Sequence, residues 1–96
     1  MSEGSDDGFR DRADAHIRLS NEQLEASGAG WVSASMLYAA ARFNVWLSAS
    51  EATSADHMRE MRPKVIACFE AEYSRMLAEN MDEYIAQFDT YMKDTH

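Results

Sequence analysis

A chain of 96 residues is long enough for one small domain with a modest core, and its single proline and four glycines argue against an all-β fold with many turns. Its 17 acidic and 9 basic residues give a net charge of −8, which argues against a cationic nucleic-acid interface. The longest uninterrupted apolar run, MLYAAA, falls far short of the roughly 20 residues that a membrane-spanning helix needs, so we expect no membrane partner.

The predicted organisation is a disordered tail followed by one helical domain. Residues 1–5 are small and polar, as chain ends without fixed structure usually are. Residues 6–96 are rich in alanine, glutamate, leucine and methionine, which are good helix formers. We therefore predict an all-α protein, a small bundle of three to four helices. The acidic N-terminal sequence has no apolar stretch of the kind found in secretory signals, so a cytoplasmic location is expected.

The first predicted helix begins near Asp6 or Asp7, where a carboxylate can accept hydrogen bonds from free backbone N–H groups. Apolar residues then recur at spacings of three and four up to Leu24, which places them on one face. The segment SGAG, residues 27–30, is expected to end this helix, with Gly28 in the left-handed conformation that often closes helices.

The second predicted helix runs from about Ser33 to Ser50 and is apolar around most of its circumference. A helix with this pattern is usually buried between others. The three alanines at positions 39–41 would let a neighbouring backbone approach closely. We therefore expect this helix at the centre of the core.

The third predicted helix is capped by Thr53 or Ser54, and it is either long or broken near Asn80. Pro63 is expected to kink or restart it, because proline removes one helix hydrogen bond. The sequence NMDE, residues 80–83, has the form of a capping box. An unbroken helix would be roughly 57 Å long and would overhang a domain with a radius of gyration near 13 Å.

An aromatic stripe, Tyr84, Phe88 and Tyr91, lies at the end of the third helix. Aromatic side chains are poor candidates for bare solvent. Either the chain turns near Asn80 and packs a fourth helix on its own core, or the stripe packs against a second copy of the chain. The second alternative predicts a homodimer formed through these three residues.

No residue pattern typical of an enzyme or of a bound cofactor is present. His16, His57 and His96 lack a second histidine three or four residues away, and the Glu-x-x-His motif of di-iron bundles is missing. A glycine-rich phosphate loop and a nucleophile elbow are missing too. Cys68 lies between apolar residues and is expected in the core. We predict no catalytic residue, no metal and no cofactor.

Arg42 and Asn44 are the polar exceptions within the apolar second helix. Arg42 has Tyr38 and Trp46 four residues to either side, so its guanidinium can lie against either ring. Glu72 shares a helix face with apolar residues and is predicted to be buried, where it needs a positive partner. One interpretation is a structural ion pair between Arg42 and Glu72. The other is a small-anion pocket formed by Arg42, Asn44 and Tyr38.

Three segments that span most of the chain are, in order, FRDRADAHIRLSNEQL, VSASMLYAAARFNVWLSAS and YSRMLAENMDEYIAQF. Together they resemble a family of short acidic proteobacterial proteins catalogued as a domain of unknown function. The resemblance covers about Phe9 to Tyr91, ARFN is its most specific part, and Pro63 departs from the family pattern. It implies a bacterial cytosolic origin and brings no activity, substrate or catalytic residue.

These features predict a non-enzymatic helical interaction module that self-associates. A second hypothesis is a small-ligand binder or enzyme with an anion pocket at Arg42, Asn44 and Tyr38, which requires a concave pocket of several hundred Å³ at those residues. A third is an acidic mimic that binds a basic protein, which requires acidic groups concentrated on one face.

Overall fold

The computed structural model describes residues 8–93 and is helical throughout that range except at short connections. The helices are α1 (Phe9–Leu24), α2 (Ala29–Glu51), α3 (Ala55–Ala86) and α4 (Phe88–Lys93). No β-strand occurs among these described residues. The all-α prediction is therefore confirmed.

The chain divides into two units, of which the structure describes residues 8–47 and 48–93. The first unit holds α1 and most of α2, and the second holds α3 and α4. The predicted disordered tail, residues 1–5, lies outside the described residues. The single helical domain predicted for residues 6–96 stays a prediction.

α1 begins one residue after Gly8, whose carbonyl oxygen accepts a hydrogen bond from the N–H of Arg12 at 2.9 Å. The caps predicted at Asp6 and Asp7 lie outside the described residues. The helix ends at Leu24, three residues before the SGAG segment. Apolar residues from Phe9 to Leu24 therefore form one continuous helix, as their spacing predicts.

Gly28 starts α2 and does not end α1. Its carbonyl oxygen accepts hydrogen bonds from the N–H groups of Trp31 and Val32, both at 3.1 Å. No glycine among the described residues has a positive φ, so the predicted left-handed closure is wrong. The reason is local. The carbonyl of Gln23, in the last turn of α1, already accepts a hydrogen bond from the N–H of Ser27 at 3.0 Å, so it does not need a glycine in the left-handed conformation. α2 thus begins four residues before the predicted start at Ser33.

Ser54 caps α3, which confirms one of the two predicted caps. Its backbone is extended, and its hydroxyl accepts a hydrogen bond from the N–H of His57 at 3.0 Å. The Nδ1 atom of His57 in turn accepts the backbone N–H of Thr53 at 3.0 Å. His57 thus takes the place of the glutamate or glutamine of a capping box, but its side chain accepts from the residue before the cap and not from the cap itself.

α3 is 32 residues long, about 48 Å, and continues through both predicted points of disruption. Pro63 lies in its interior without starting a new helix, although it withholds one backbone donor. The side-chain amide of Asn80 donates to the carbonyl of Met76 at 2.8 Å, so it bonds back to the preceding turn and caps no new helix. Of the two predicted alternatives, the long helix is the one observed.

The break comes at Gln87, seven residues after Asn80. Its backbone is not helical, with φ −126° and ψ 36°. Its N–H donates to the carbonyl of Glu83, and its own carbonyl accepts the N–H of Tyr91, both at 3.0 Å. Gln87 therefore ends α3 and starts α4, a helix of six residues.

Replacing Ser54 by alanine should lower the free energy of unfolding by about 1 kcal/mol, because the N–H of His57 loses its acceptor. Urea unfolding followed by circular dichroism measures this. Ser74→Ala is the matched control, since Ser74 is exposed within α3, and it should change stability by less than about 0.5 kcal/mol. Equal midpoints for the two variants would contradict the capping role.

Candidate interaction surface

α2 is the most apolar of the three long helices, and it is almost uncovered. Val32, 6% exposed, is its one buried residue. The most exposed aromatic side chains of α2 are Trp31 at 79%, Tyr38 at 64% and Trp46 at 60%. Among the described residues of the first unit, α1 does not pack on α2. The predicted burial of this helix at the centre of the core is therefore not found within its own unit.

The charge on α2 is as unusual as its exposure. Two of its 23 residues are charged, Arg42 near the middle and Glu51 at the end. Arg42 is exposed, and within the described part of its own unit, residues 8–47, it makes no ion pair. α2 therefore presents an apolar surface with a single cation in it.

The three residues proposed as an anion pocket do not share one face of α2. Tyr38 and Arg42 lie four residues apart and are neighbours on the helix surface. Asn44 is half-buried and lies two residues beyond Arg42, about 200° around the helix. α2 by itself therefore does not direct all three side chains at one ligand.

Glu72 is bonded within α3. Its carboxylate accepts a hydrogen bond from Nη2 of Arg75 at 2.6 Å, and Nη1 of Arg75 lies 3.0 Å from the carboxylate of Glu79. The hydrogen bonds to Glu72 and then to Glu79 raise the pKa of Arg75 above its ordinary value. The side chain of Glu72 is 60% exposed, so the burial expected of it is not found. A pairing of Arg42 with Glu72 would join the two units and stays a prediction.

Two residues of the aromatic stripe contact each other at the corner between α3 and α4. The rings of Tyr84 and Tyr91 are stacked, with centroids 4.5 Å apart and planes inclined by 24°. The hydroxyl of Tyr91 donates to the carboxylate of Glu83. Phe88 remains 60% exposed. The chain thus covers part of the stripe itself and leaves Phe88 as its open member.

A cavity of about 240 Å³ lies at the same corner, lined by residues 85–90. The residues that line it do not include Tyr38, Arg42 or Asn44. Its volume falls just below the roughly 300–1,000 Å³ of most ligand pockets. The cavity therefore belongs to the junction of α3 and α4 and not to the proposed anion site.

Side chains that bind metals or act as nucleophiles are dispersed. Within residues 8–93, no group of three or more histidine, cysteine, aspartate or glutamate side chains is placed to hold a metal ion. Cys68 is exposed in place of its expected core position. Over the same residues, no helix combines the length and the hydropathy needed to cross a membrane.

The fold and this surface define a small all-α protein with an uncovered apolar helix. The sequence matches the family described as "Protein of unknown function (DUF3144)" over residues 9–85, and the chain belongs to that family. The resemblance to a domain of unknown function is thereby confirmed.

A solved structure extends the likeness to the whole chain. The NMR structure of the protein NB7890A from Shewanella sp. is 30% identical, with a TM-score of 0.74. The likeness covers 99% of this chain and 98% of that one. No match to a curated protein was found. The comparisons therefore support the helical fold and the family without adding an activity.

Replacing Tyr91 by alanine should loosen α4, because a six-residue helix is too short to persist without its contacts. An aromatic pair contributes about 0.5–1.5 kcal/mol, so amide exchange in residues 88–93 should become about two to ten times faster. Exchange measured by NMR tests this. Tyr73→Ala removes an exposed tyrosine within α3 and should leave α4 unchanged. Unaltered exchange in the Tyr91 variant would show that the stack does not hold α4.

Proposed function

We propose that the chain is a helical interaction module that associates with a second copy of itself and has no enzymatic activity. The observation that carries this proposal is the exposure of α2, a helix of 23 residues with Val32 as its one buried residue. A helix that is apolar on all sides is stable in water when another apolar surface covers it. Contiguous exposed apolar surface of this kind is typical of an interface.

The exposed area of α2 is on the scale that a stable dimer needs. Its four aromatic side chains, each more than half exposed, are Trp31, Tyr38, Phe43 and Trp46. A fully covered aromatic side chain buries about 150–250 Å², so the exposed parts of these four amount to roughly 400–650 Å². A standard interface buries about 800 Å² per partner. Four side chains of one helix therefore supply at least about half of the area that each partner buries in a standard interface.

The distribution of charge favours a second copy over a basic partner. The net charge of −8 makes two copies repel each other, but α2 contributes little to it, because Arg42 and Glu51 are opposite in sign. A surface that captures basic proteins would need acidic side chains on the contacting helix. α2 instead suits a partner surface that is as neutral and apolar as itself.

The aromatic stripe is a second and smaller contact in this proposal. Phe88 and Tyr84 are 60% and 47% exposed, so both can add apolar area at an interface. Tyr91 contributes by holding α4 in place through its stack on Tyr84. We also propose a cytoplasmic location, because the exposed thiol of Cys68 suits a reducing compartment.

Sedimentation equilibrium at micromolar concentration should give the mass of a dimer or a larger assembly. Val45→Glu places a charge in the apolar surface of α2 and should shift the protein to monomer, because a desolvated unpaired charge opposes association. Ile17→Glu is the matched control, since Ile17 is a similarly exposed apolar residue on α1, and it should leave the mass unchanged. A strict monomer for the natural sequence would overturn the proposal.

A further inference from the structure

We infer that two copies of α2 pair in antiparallel orientation, with Tyr38 of one copy against Arg42 of the other. The pairing rests on the proposed function and adds the orientation and the register of the contact. It also assigns a role to the one cation in the middle of an apolar helix.

One face of α2 consists of residues spaced alternately four and three positions apart. Steps of four and three along a helix follow a single narrow face, as in coiled coils. The residues at these steps, here called the Tyr38–Arg42 face, are Trp31, Ser35, Tyr38, Arg42, Val45 and Ala49. All six are exposed, so a second helix can reach them.

The sizes of these residues are complementary when the two helices run in opposite directions. We place the two-fold axis at the level of Ala40. Each residue of one copy then lies opposite the residue of the other copy that is equally far from position 40 on its other side. Ser35 then lies opposite Val45, and Trp31 lies opposite Ala49. The pairs place a large side chain opposite a small one, which lets two helices interdigitate. Tyr38 lies opposite Arg42, which joins a ring to a cation.

In a parallel pair in register, each residue would instead lie opposite the same residue of the other copy. Arg42 would face Arg42 in an apolar surface, and two like charges so placed repel. Two Trp31 side chains would meet at one end and two Ala49 side chains would leave a gap at the other. In the antiparallel pair each guanidinium lies over a tyrosine ring, where the ring quadrupole attracts it. The charge of Arg42 therefore selects the antiparallel orientation.

Disulfide cross-linking tests the orientation. In a Cys68→Ser background, which removes the exposed natural thiol, we introduce Ser35→Cys in one preparation and Val45→Cys in another. Oxidation of the mixture should give a covalent dimer with one chain of each kind, and each preparation alone should stay uncross-linked. The reason is that the two copies of residue 35 lie about 15 Å apart along the axis, whereas a disulfide needs Cα atoms within about 7 Å.

The outcomes separate this inference from the proposed function. Efficient cross-linking of each variant with itself would indicate a parallel pair and overturn the inference, while self-association would stand. A dimer in sedimentation without cross-links in any combination would place the contact elsewhere and also overturn it. A Cys68→Ser chain that sediments as a monomer would overturn the proposed function itself. Ser74→Cys in the same background is the control and should not cross-link.

A second measurement addresses the contact between Tyr38 and Arg42. Tyr38→Leu keeps an apolar side chain but removes the ring, so the dimer dissociation constant should rise about five- to thirtyfold. Each cation–π contact changes an equilibrium by about two- to fivefold, and the two-fold axis forms the contact twice. Asn44→Ala, on the other side of α2, should leave the constant unchanged. An unchanged constant for Tyr38→Leu would overturn the assigned contact.

Discussion

The apolar surface of α2 is the constraint on which the stability of this chain depends. The exposed parts of its four aromatic side chains, roughly 400–650 Å², correspond to roughly 10–16 kcal/mol of unrealised burial at about 25 cal/mol per Å². A whole domain is typically stable by about 5–15 kcal/mol. Burial of this surface is therefore comparable in size to the net stability of an entire fold, before the cost of association is subtracted, and it is the basis of the proposed self-association.

Apart from the contacts of Tyr91 with Tyr84 and Glu83, which join α4 to α3, the side-chain hydrogen bonds and ion pairs described above are local and act on individual helices. Ser54 and His57 fix the start of α3, the amide of Asn80 bonds to the turn before it, and Arg75 links Glu72 and Glu79 along one exposed face. Contacts between residues three or four apart stabilise a helix without joining it to another. They support α3 along its 32 residues and leave its packing to apolar contacts.

The sequence is sufficient to predict the features that depend on neighbouring residues. Composition predicts the helical class, and capping chemistry predicts the cap at Ser54. The apolar spacing predicts a long third helix as one of two alternatives. The role of Gly28 was harder to predict, because a glycine between two helices can close the first or begin the second. The hydrogen bond from the N–H of Ser27 to the carbonyl of Gln23 decides between them. The stack of Tyr84 on Tyr91 depends on the turn at Gln87, which has no glycine or proline to mark it.

The exposure of α2 could not be predicted from the sequence for a different reason. An apolar pattern shows that a helix must be covered, but it does not say which chain provides the cover. The same ambiguity affects Arg42. If it were buried within one folded chain, it would need a carboxylate such as Glu72. At an interface between two copies, any group that stabilises a cation would serve. Glu72 is already bonded to Arg75 on its own helix, whereas Tyr38 is exposed one turn from Arg42 on the same face. A polar residue in an apolar helix surface commonly lowers affinity and fixes register and orientation. With Tyr38 as its partner across a two-fold axis, Arg42 would have that effect, because the parallel alternative sets two guanidinium groups against each other.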